Sequence, residues 1–392
     1  NRMPERFDVA VIGAGVVGSS IARIQSRYRG TFAVIERAHD VGMGASVRNS
    51  GVIHAGINYL PDTLRARYCM EGRALLQHWC DELNVPYSIC GKLVVARHEN
   101  EIPGLRRLME HGRANGVPGL RILSGEQAAT LQPGIVCEAA LHVPTSGIVS
   151  PYALTIAAAE DAAVNGVRFF LGREVTGIEP QSNGFVLHTP TGPIEASLLI
   201  NAAGVHAGRV AEYIDPEAPA VFPCVGEYLI LDRQVGESMS TLVYPAPGVD
   251  NAGLGVHITP TTEGNVLLGP SSEYVSDAET VCTTRATTDR LLEEAAVMWP
   301  NLPQHLVIGA YAGLRSKLTS PELGGFSDYV FRRTPEHPGA LHLLGIESPG
   351  LTAAPAIARR VVETFVLPEG GFGPKPADAM RLRRWPDRFD EL

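Results

Sequence analysis

The sequence predicts an α/β chain of two domains. One is a discontinuous domain on a doubly wound parallel sheet; the other carries a mixed, largely antiparallel sheet. Three observations predict this. A βαβ pattern fills the first 36 residues, strand–helix units recur in the middle and at the end, and short alternating strands crowd residues 221–320. Pieces interrupted in this way are most economically one parallel-sheet domain with insertions forming a second. The length, 392 residues, suits two or three domains.

Taken in order, Phe7–Gly13 is a short apolar strand of the kind covered on both faces. Val16–Tyr28 reads as a helix with Val17, Ile21 and Ile24 on one stripe, and Thr31–Glu36 as a second strand. Residues 63–84 carry helical spacing, with Leu64, Tyr68, Leu75, Leu76 and Trp79 inward. Another helix is expected over 101–116, closed by Asn115-Gly116. Ser124 with Gln127 fits a capping box before a short helix ending at Pro133. Ser150-Pro151 signals an N-cap followed by Pro at the first helical position, opening a helix to about Gly166. Strands follow near 167–171, 173–179, 184–189 and 194–201, then 226–232, 253–259 and 264–269. An amphipathic helix spans 286–298, and a strand at 341–345 leads through a Gly-Pro-rich turn into a helix at 351–366.

Composition narrows the function. Lys and Arg number 33 against 42 Asp and Glu, a net charge of −9 with pI about 5.8, which argues against a nucleic-acid binder. Hydrophobic residues at 45% and charged residues at 19% exclude long disordered stretches. Forty-one Gly exceed the usual share of about 7% and point to tight turns and close backbone approaches. No run of about 18 apolar residues occurs, so no spanning helix is expected. The chain reaches a strand by Val9, which leaves no room for a secretory signal; Asn1-Arg2 reads as an addition ahead of a start at Met3. Cys69, Cys80, Cys90, Cys137, Cys224 and Cys282 include no C-x-x-C pair, so reduced thiols in a cytoplasmic protein are expected rather than zinc or disulfides.

The chemistry begins at Gly13-Ala14-Gly15-Val16-Val17-Gly18, a G-x-G-x-x-G between strand and helix. Gly13 permits the turn, Gly15 lets backbone approach a pyrophosphate, and Gly18 lets helix pack on sheet. The helix N-terminus offers free N–H groups and positive partial charge to the anion. Glu36, 21 residues after Gly15, can accept ribose hydroxyls. This Rossmann-like unit leaves NAD and FAD open. Three further segments favour FAD: Gly44–Gly56 (GASVRNSGVIHAG), which suits a chain threading past a diphosphate; Leu198–Gly204 (LLINAAG), a strand ending in small residues; and Gly345–Pro355 (GIESPGLTAAP). In the last, a second helix N-terminus near Gly350-Leu351-Thr352 could stabilise negative charge on a reduced ring. An NAD-dependent dehydrogenase would leave this turn unexplained.

On GAGVVG, Glu36, NAAG, Gly313-Leu314-Arg315 and PGLTAAP, the chain resembles the D-amino-acid oxidase (DAO) superfamily of FAD-dependent oxidoreductases over nearly its whole length to about residue 368. That superfamily includes glycine oxidase, sarcosine oxidase and glycerol-3-phosphate dehydrogenase. Within it, NSGVIHAG followed by Tyr59, Pro61 and Leu64, with Gly226-Glu227-Tyr228 and Leu254-Gly255-Val256-His257, resembles L-2-hydroxyglutarate dehydrogenases. The chain is shorter than those enzymes between the helix near 298 and Arg315.

The resemblance implies an FAD domain over 1–85, 146–220 and 321–368, a substrate domain over 86–145 and 221–320, and a surface tail over 369–392. Non-covalent FAD is expected on Gly13, Ala14, Gly15, Val16, Val17, Gly18, Glu36, Arg37, Gly44, Ala45, Ser46, Arg48, Asn49, Ser50, Gly51, Val175, Ala202, Ala203, Gly204, Gly313, Ser348, Pro349, Gly350, Leu351 and Thr352. Arg315 follows a predicted strand and a Gly, where the family binds the substrate carboxylate; its guanidinium matches a carboxylate in bidentate fashion. Lys317 would share its face if the segment is a strand. Tyr228 and Tyr244 are candidate substrate contacts. Oxidising a 2-hydroxy acid means hydride loss to flavin N5 and loss of the hydroxyl proton, which a neutral His can take. The resemblance places His257 and His54 near the flavin, His257 preferred. The expected function is oxidation of a small 2-hydroxy acid such as L-2-hydroxyglutarate, with oxygen or a quinone as acceptor. An amino-acid or secondary-amine oxidase and a non-catalytic flavin-binding protein are the alternatives. Arg381, Arg383, Arg384 and Trp385 offer a peripheral contact with the inner face of a membrane, against a solvated tail.

Overall fold

A computed structural model describes residues 5–247, 255–279 and 281–385. Glu5–Ile12 forms the centre of an eight-stranded sheet. It runs parallel to Phe32–Ile35 on one side and to Ile194–Asn201 on the other. Arg168–Phe170 extends the parallel set beyond Phe32–Ile35, and Ala340–Leu344 pairs in parallel with the end of Ile194–Asn201. Gly177–Gln181, Gly184–His188 and Val330–Arg333 complete it with antiparallel pairing. The strands at the centre are buried along both faces, as their unbroken apolar runs require. The helices Val16–Gln25, Pro151–Val164 and Gly350–Val361 cover this sheet, and Leu64–Leu83 packs on the last of them.

A nine-stranded sheet forms the second layer system. Its order runs Glu273–Tyr274, Phe222–Leu231, Val266–Gly269, His257–Pro260, Leu242–Pro245, Lys92–Ala96, Ala139–Val143, Arg121–Ser124, and Val307–Lys317 lies along Phe222–Leu231. All its pairs are antiparallel except Leu242–Pro245 with Lys92–Ala96. Side chains alternate across a strand. Leu93, Leu229, Leu231, Val243, Ile258 and Leu268 therefore pack with Leu291, Ala295 and Met298 of the helix Arg285–Met298. The opposite face is turned to the parallel sheet, and it carries the site.

Several expectations need correction. No strand covers 173–176; the chain turns at Gly172, with φ of +67°, and the strand begins at Gly177. The strand expected over 253–259 is His257–Pro260, with 253 and 254 outside the described residues. Ser150 precedes its helix in extended conformation but its side chain makes no capping bond, so Pro151 at the first position is the start signal that operates. The Ser124–Gln127 capping box is present in both directions. Arg315 lies inside Val307–Lys317 rather than after a strand. The short strands Lys92–Ala96, Arg121–Ser124, Ala139–Val143 and Gly147–Val149 had no sequence expectation.

The basic tail lies on the protein. Arg383 pairs with Glu160 at 3.1 Å, the Trp385 N–H donates to the Leu83 carbonyl at 2.7 Å, and the Trp385 ring meets Tyr152 edge-on. Among the described residues no helix is long and apolar enough to cross a membrane.

Candidate active site

One cavity of about 720 Å³ runs between the two sheets, large among small-molecule sites. Its one end is the glycine turn. Gly13 has φ of +101°, and a Cβ there would lie 2.6 Å from the Ala202 carbonyl oxygen; one on Gly18 would lie 1.9 Å from the Gly13 oxygen. A Cβ on Gly15 would lie 2.9 Å from Ser46 Oγ, which accepts the Val16 N–H at 2.8 Å. Only glycines allow this turn to close so tightly on strand and helix. The Glu36 carboxylate accepts from the Ala14 N–H at 2.7 Å and the Ala38 N–H at 2.8 Å, which holds it at the strand end. Each oxygen keeps a lone pair for a ribose hydroxyl.

The loop from Gly44 to Gly51 crosses the cavity. Asn49 staples it, donating to the Ala45 and Ser46 carbonyls and accepting the Gly51 N–H at 2.8 Å. Tyr311 donates to the Asn49 carbonyl at 2.9 Å, and Ser50 hydrogen-bonds Tyr228. At the far side, the helix beginning at Gly350 points its N-terminus at the cavity, which Ser348, Pro349, Gly350 and Leu351 line.

The second sheet supplies the opposite wall through one register line. Lys92 lies diagonal to Tyr244, whose strand partners are Val94 on one side and, by the Val243–Ile258 pair, His257 on the other. His257 pairs with Gly269, which sits beside Tyr228, and Tyr228 pairs with Tyr311. Tyr244 and His257 stack with centroids 3.4 Å apart, and Tyr228 and Tyr311 at 4.7 Å. Beside the tyrosines, Gly226 and Gly313 face each other across their strands, and Arg315 follows. A Cβ at Gly226 would meet the Arg315 guanidinium at 2.7 Å; one at Gly313 would meet the Arg48 carbonyl at 2.2 Å. The glycine pair thus cuts a trough between an aromatic pair and a cation.

Arg315 donates to the carbonyls of Val225 at 3.3 Å and Ser271 at 2.9 Å, and among the described residues it forms no ion pair. Lys317 differs: its ammonium donates to the Gly325 carbonyl at 2.7 Å and lies 3.6 Å from Glu347, a buried acid that also faces Arg65 at 3.8 Å. Burial pushes the Glu347 carboxyl up, against the pull of these cations. His54 Nε2 lies 3.1 Å from Ser348 Oγ, which is 3.3 Å from the Tyr59 hydroxyl. Burial first, then the charges of Lys92, His257 and Arg65, holds the His54 imidazole well below its ordinary range, so it is neutral at neutral pH.

The structure gathers nearly all the expected residues on this cavity, including Arg37, Arg48, Val175, Ala203, Gly204, Tyr228, Tyr244, His257 and Lys317. Four face elsewhere. Ala14 and Gly18 build the turn from inside, Gly51 rests on Val149 with φ of +64°, and Thr352 accepts the His54 N–H at 3.0 Å and donates to the Val52 carbonyl. Arg65, Glu347, Ser271 and Phe326 were not foreseen. An acid inside the apolar turn GIESPG was the one local signal available for Glu347.

The family model described as FAD dependent oxidoreductase matches residues 8–364. The chain belongs to this family, DAO. It is an enzyme, and its cofactor is FAD; Gly13, Gly15, Glu36 and the Ser348–Leu351 helix start line one cavity. A glycerol 3-phosphate dehydrogenase of Caloramator mitchellensis is 36% identical over 359 residues, spanning 91% of this chain and 73% of that one. An L-2-hydroxyglutarate dehydrogenase of Indibacter alkaliphilus is 30% identical over 398 residues, spanning 91% and 98%. Among solved structures, the L-α-glycerophosphate oxidase of Mycoplasma pneumoniae with FAD bound has a TM-score of 0.89 at 28% identity, covering 97% of this flavoenzyme and 100% of that chain. Glycine oxidase from Geobacillus kaustophilus, TM-score 0.82 at 23% identity over 97% and 100%, shares the fold.

Proposed function

We propose that the enzyme oxidises the hydroxyl carbon of a small 2-hydroxy carboxylate such as L-2-hydroxyglutarate, with oxygen or a quinone as final acceptor. The observation that carries this reading is Arg315, a cation on the cavity wall without an acidic partner among the described residues, with a neutral imidazole across the same cavity. A substrate carboxylate would take two parallel hydrogen bonds from the guanidinium, which carbonyl oxygens already hold in plane. FAD, when bound, supplies the two-electron acceptor. His54 accepts the hydroxyl proton at Nε2, the nitrogen beside Ser348, and Ser348 with Tyr59 orients the ring. A bound carboxylate adds negative charge to the cavity and raises the basicity of that imidazole when it is needed. Tyr228, Tyr244 and His257 close the cavity and exclude water.

The neutral base favours an alcohol over an amine, because an amine already deprotonated in solution needs none. A second reading, a polyol phosphate, is favoured by the 36% identical relative named for glycerol 3-phosphate. Arginine takes phosphate by the same fork. The test is anaerobic: the flavin band is followed while L-2-hydroxyglutarate, glycerol 3-phosphate and glycine are added separately. Bleaching by the hydroxy acid at the lowest concentration is expected. Bleaching by glycerol 3-phosphate alone moves the reading to polyol phosphates, and by glycine alone to amines.

A further inference from the structure

A guanidinium is a useful anion site only if its fork is aimed. In Arg315, Nη1 donates to the Val225 carbonyl at 3.3 Å and lies 3.9 Å from Cys224 Sγ, while Nη2 donates to the Ser271 carbonyl at 2.9 Å. Among the described residues Nε has no partner, so the edge made by Nε and Nη2, which can meet a carboxylate in bidentate fashion, is held through Ser271. The place of that carbonyl follows from a register shift. Leu229 faces Leu268, but Val225 faces Glu273. Gly226, Glu227 and Tyr228 therefore stand against Gly269, Pro270, Ser271 and Ser272, a β-bulge of one residue, which frees a residue from the ladder and re-aims it. Here the freed group is the Ser271 carbonyl, turned to the guanidinium instead of to a strand N–H. The side chain mends the ladder: the Ser271 hydroxyl accepts the Glu227 N–H at 3.0 Å, and the Ser271 N–H donates to the Glu227 carbonyl at 3.1 Å. Glu227 is pinned in turn, its carboxylate accepting the Thr284 N–H at 2.6 Å at the start of the helix Arg285–Met298. Both Ser271 and Glu227 are buried, so an apolar residue at 271 would leave the Glu227 N–H unpaired and out of reach of water.

We propose that Ser271 is a positioning residue for Arg315: its hydroxyl stands in for the ladder acceptor lost at the bulge, and by fixing the bulge it aims its own carbonyl at Nη2 and the guanidinium at the cavity. The proposal rests on Arg315 being the carboxylate-binding group. Ser271 lines the cavity, but its hydroxyl is engaged by Glu227 and takes no part in the chemistry. Without that hydroxyl the bulge relaxes and the guanidinium samples more orientations. The cost falls on carboxylate binding, not on removal of the hydroxyl proton at His54. Ser271→Thr keeps the hydroxyl. Ser271→Cys keeps the volume and offers only a weak acceptor.

The test uses the FAD-loaded enzyme and glutarate, a dicarboxylate with no hydroxyl to oxidise, its binding read from the flavin difference spectrum. Ser271→Ala should weaken glutarate about tenfold, Ser271→Thr should stay within about twofold of wild type, and Ser271→Cys should fall between. In an Arg315→Met background, Ser271→Ala should change glutarate binding by less than about twofold, because the carbonyl has no guanidinium to hold. A merely structural role would weaken both backgrounds alike. Ser271→Cys, which fills the site, repeats the cycle where loss of the buried partner lowers the yield of Ser271→Ala. With L-2-hydroxyglutarate under anaerobic conditions, the concentration giving half the limiting rate of flavin reduction should rise about tenfold in Ser271→Ala, with the limiting rate within about twofold of wild type. Wild-type glutarate affinity in Ser271→Ala, or equal losses in the two backgrounds, overturns the proposal. Glutarate affinity unchanged in Arg315→Met overturns the reading of Arg315, and the proposal with it. If no hydroxy acid reduces the flavin, the proposed oxidation fails alone, because the glutarate cycle needs no turnover.

Discussion

The two walls of the cavity, which we propose as its cofactor side and its substrate side, are built on different principles. The cofactor wall is local: one turn of six residues, one acid 21 residues on, and two helix starts, held by backbone groups and by the absence of side chains at Gly13, Gly15 and Gly18. The substrate wall is assembled from six strands spread between Lys92 and Lys317, and its groups meet only through register. A one-residue slip in any of those strands would turn Tyr244, His257 or Tyr228 into the apolar layer under Arg285–Met298. The cofactor wall is consequently tolerant of what surrounds it and intolerant of any added atom. The substrate wall depends on its surroundings through register, and at Gly226 and Gly313 it too has no room for a side chain.

The largest effect separates the two walls at once. Arg315→Met should lower kcat/KM for flavin reduction by about 3 kcal/mol, roughly 150-fold, because it removes one partner of a buried charge-assisted contact. FAD content should stay at the wild-type level, measured by absorbance after gel filtration. A variant that loses FAD as well would show that the walls are not independent.

Gly18→Ala attacks the other side. Its new Cβ meets the Gly13 carbonyl at 1.9 Å, a backbone atom in a turn that cannot yield without opening. Overpacking of this kind costs about 1–3 kcal/mol. FAD affinity should fall by about 5- to 150-fold, read by fluorescence titration of the apoprotein. Once saturated with FAD, the variant should keep a near-normal rate of reduction by substrate. A normal affinity with a slowed reaction would reverse the assignment of that turn.

The same contrast explains what was legible. That Gly13, Gly15, Glu36, Ala203-Gly204 and Gly350-Leu351 would line one cavity could be read because their pattern is carried by neighbours in sequence. Arg315 and His257 could be named, but not the strand frame around Arg315 or the stack of His257 on Tyr244, since pairing between distant strands leaves no local mark. The burial of Lys92 was invisible for the same reason: only the register beside Tyr244 shows it. Residues 173–176, read as strand, show the opposite failure. Their composition suits a strand, but the turn at Gly172 carries them to the cavity, where Val175 lines it.

The smallest effect tests whether the cofactor wall has a polar element of its own. Asn201, in the NAAG segment, donates to the Ala207 carbonyl at 2.7 Å and to His342 Nδ1 at 3.0 Å, while His342 Nε2 lies 2.9 Å from Thr334 Oγ1. With Nδ1 accepting, the ring is neutral and carries its proton on Nε2; a second proton would break the Asn201 bond inside a fully buried site. Burial brings His342 down to about 4. Between that value and the unfolded value of about 6.5, the unfolded chain binds the extra proton and the folded chain does not, so stability falls as the pH falls. The loss should be about 1 kcal/mol at pH 5.5 and about 3 kcal/mol by pH 4. Urea unfolding at pH 7.0 and 5.5 should show His342→Asn less stable at the higher pH and with a shallower loss on acidification, since Asn cannot titrate. His54 shifts in the same direction, and it is common to both proteins. His142 and His206 are shifted the same way, so a slope unchanged in His342→Asn would place the acid sensitivity outside His342 and leave the Asn201–His342 pair indifferent to protons.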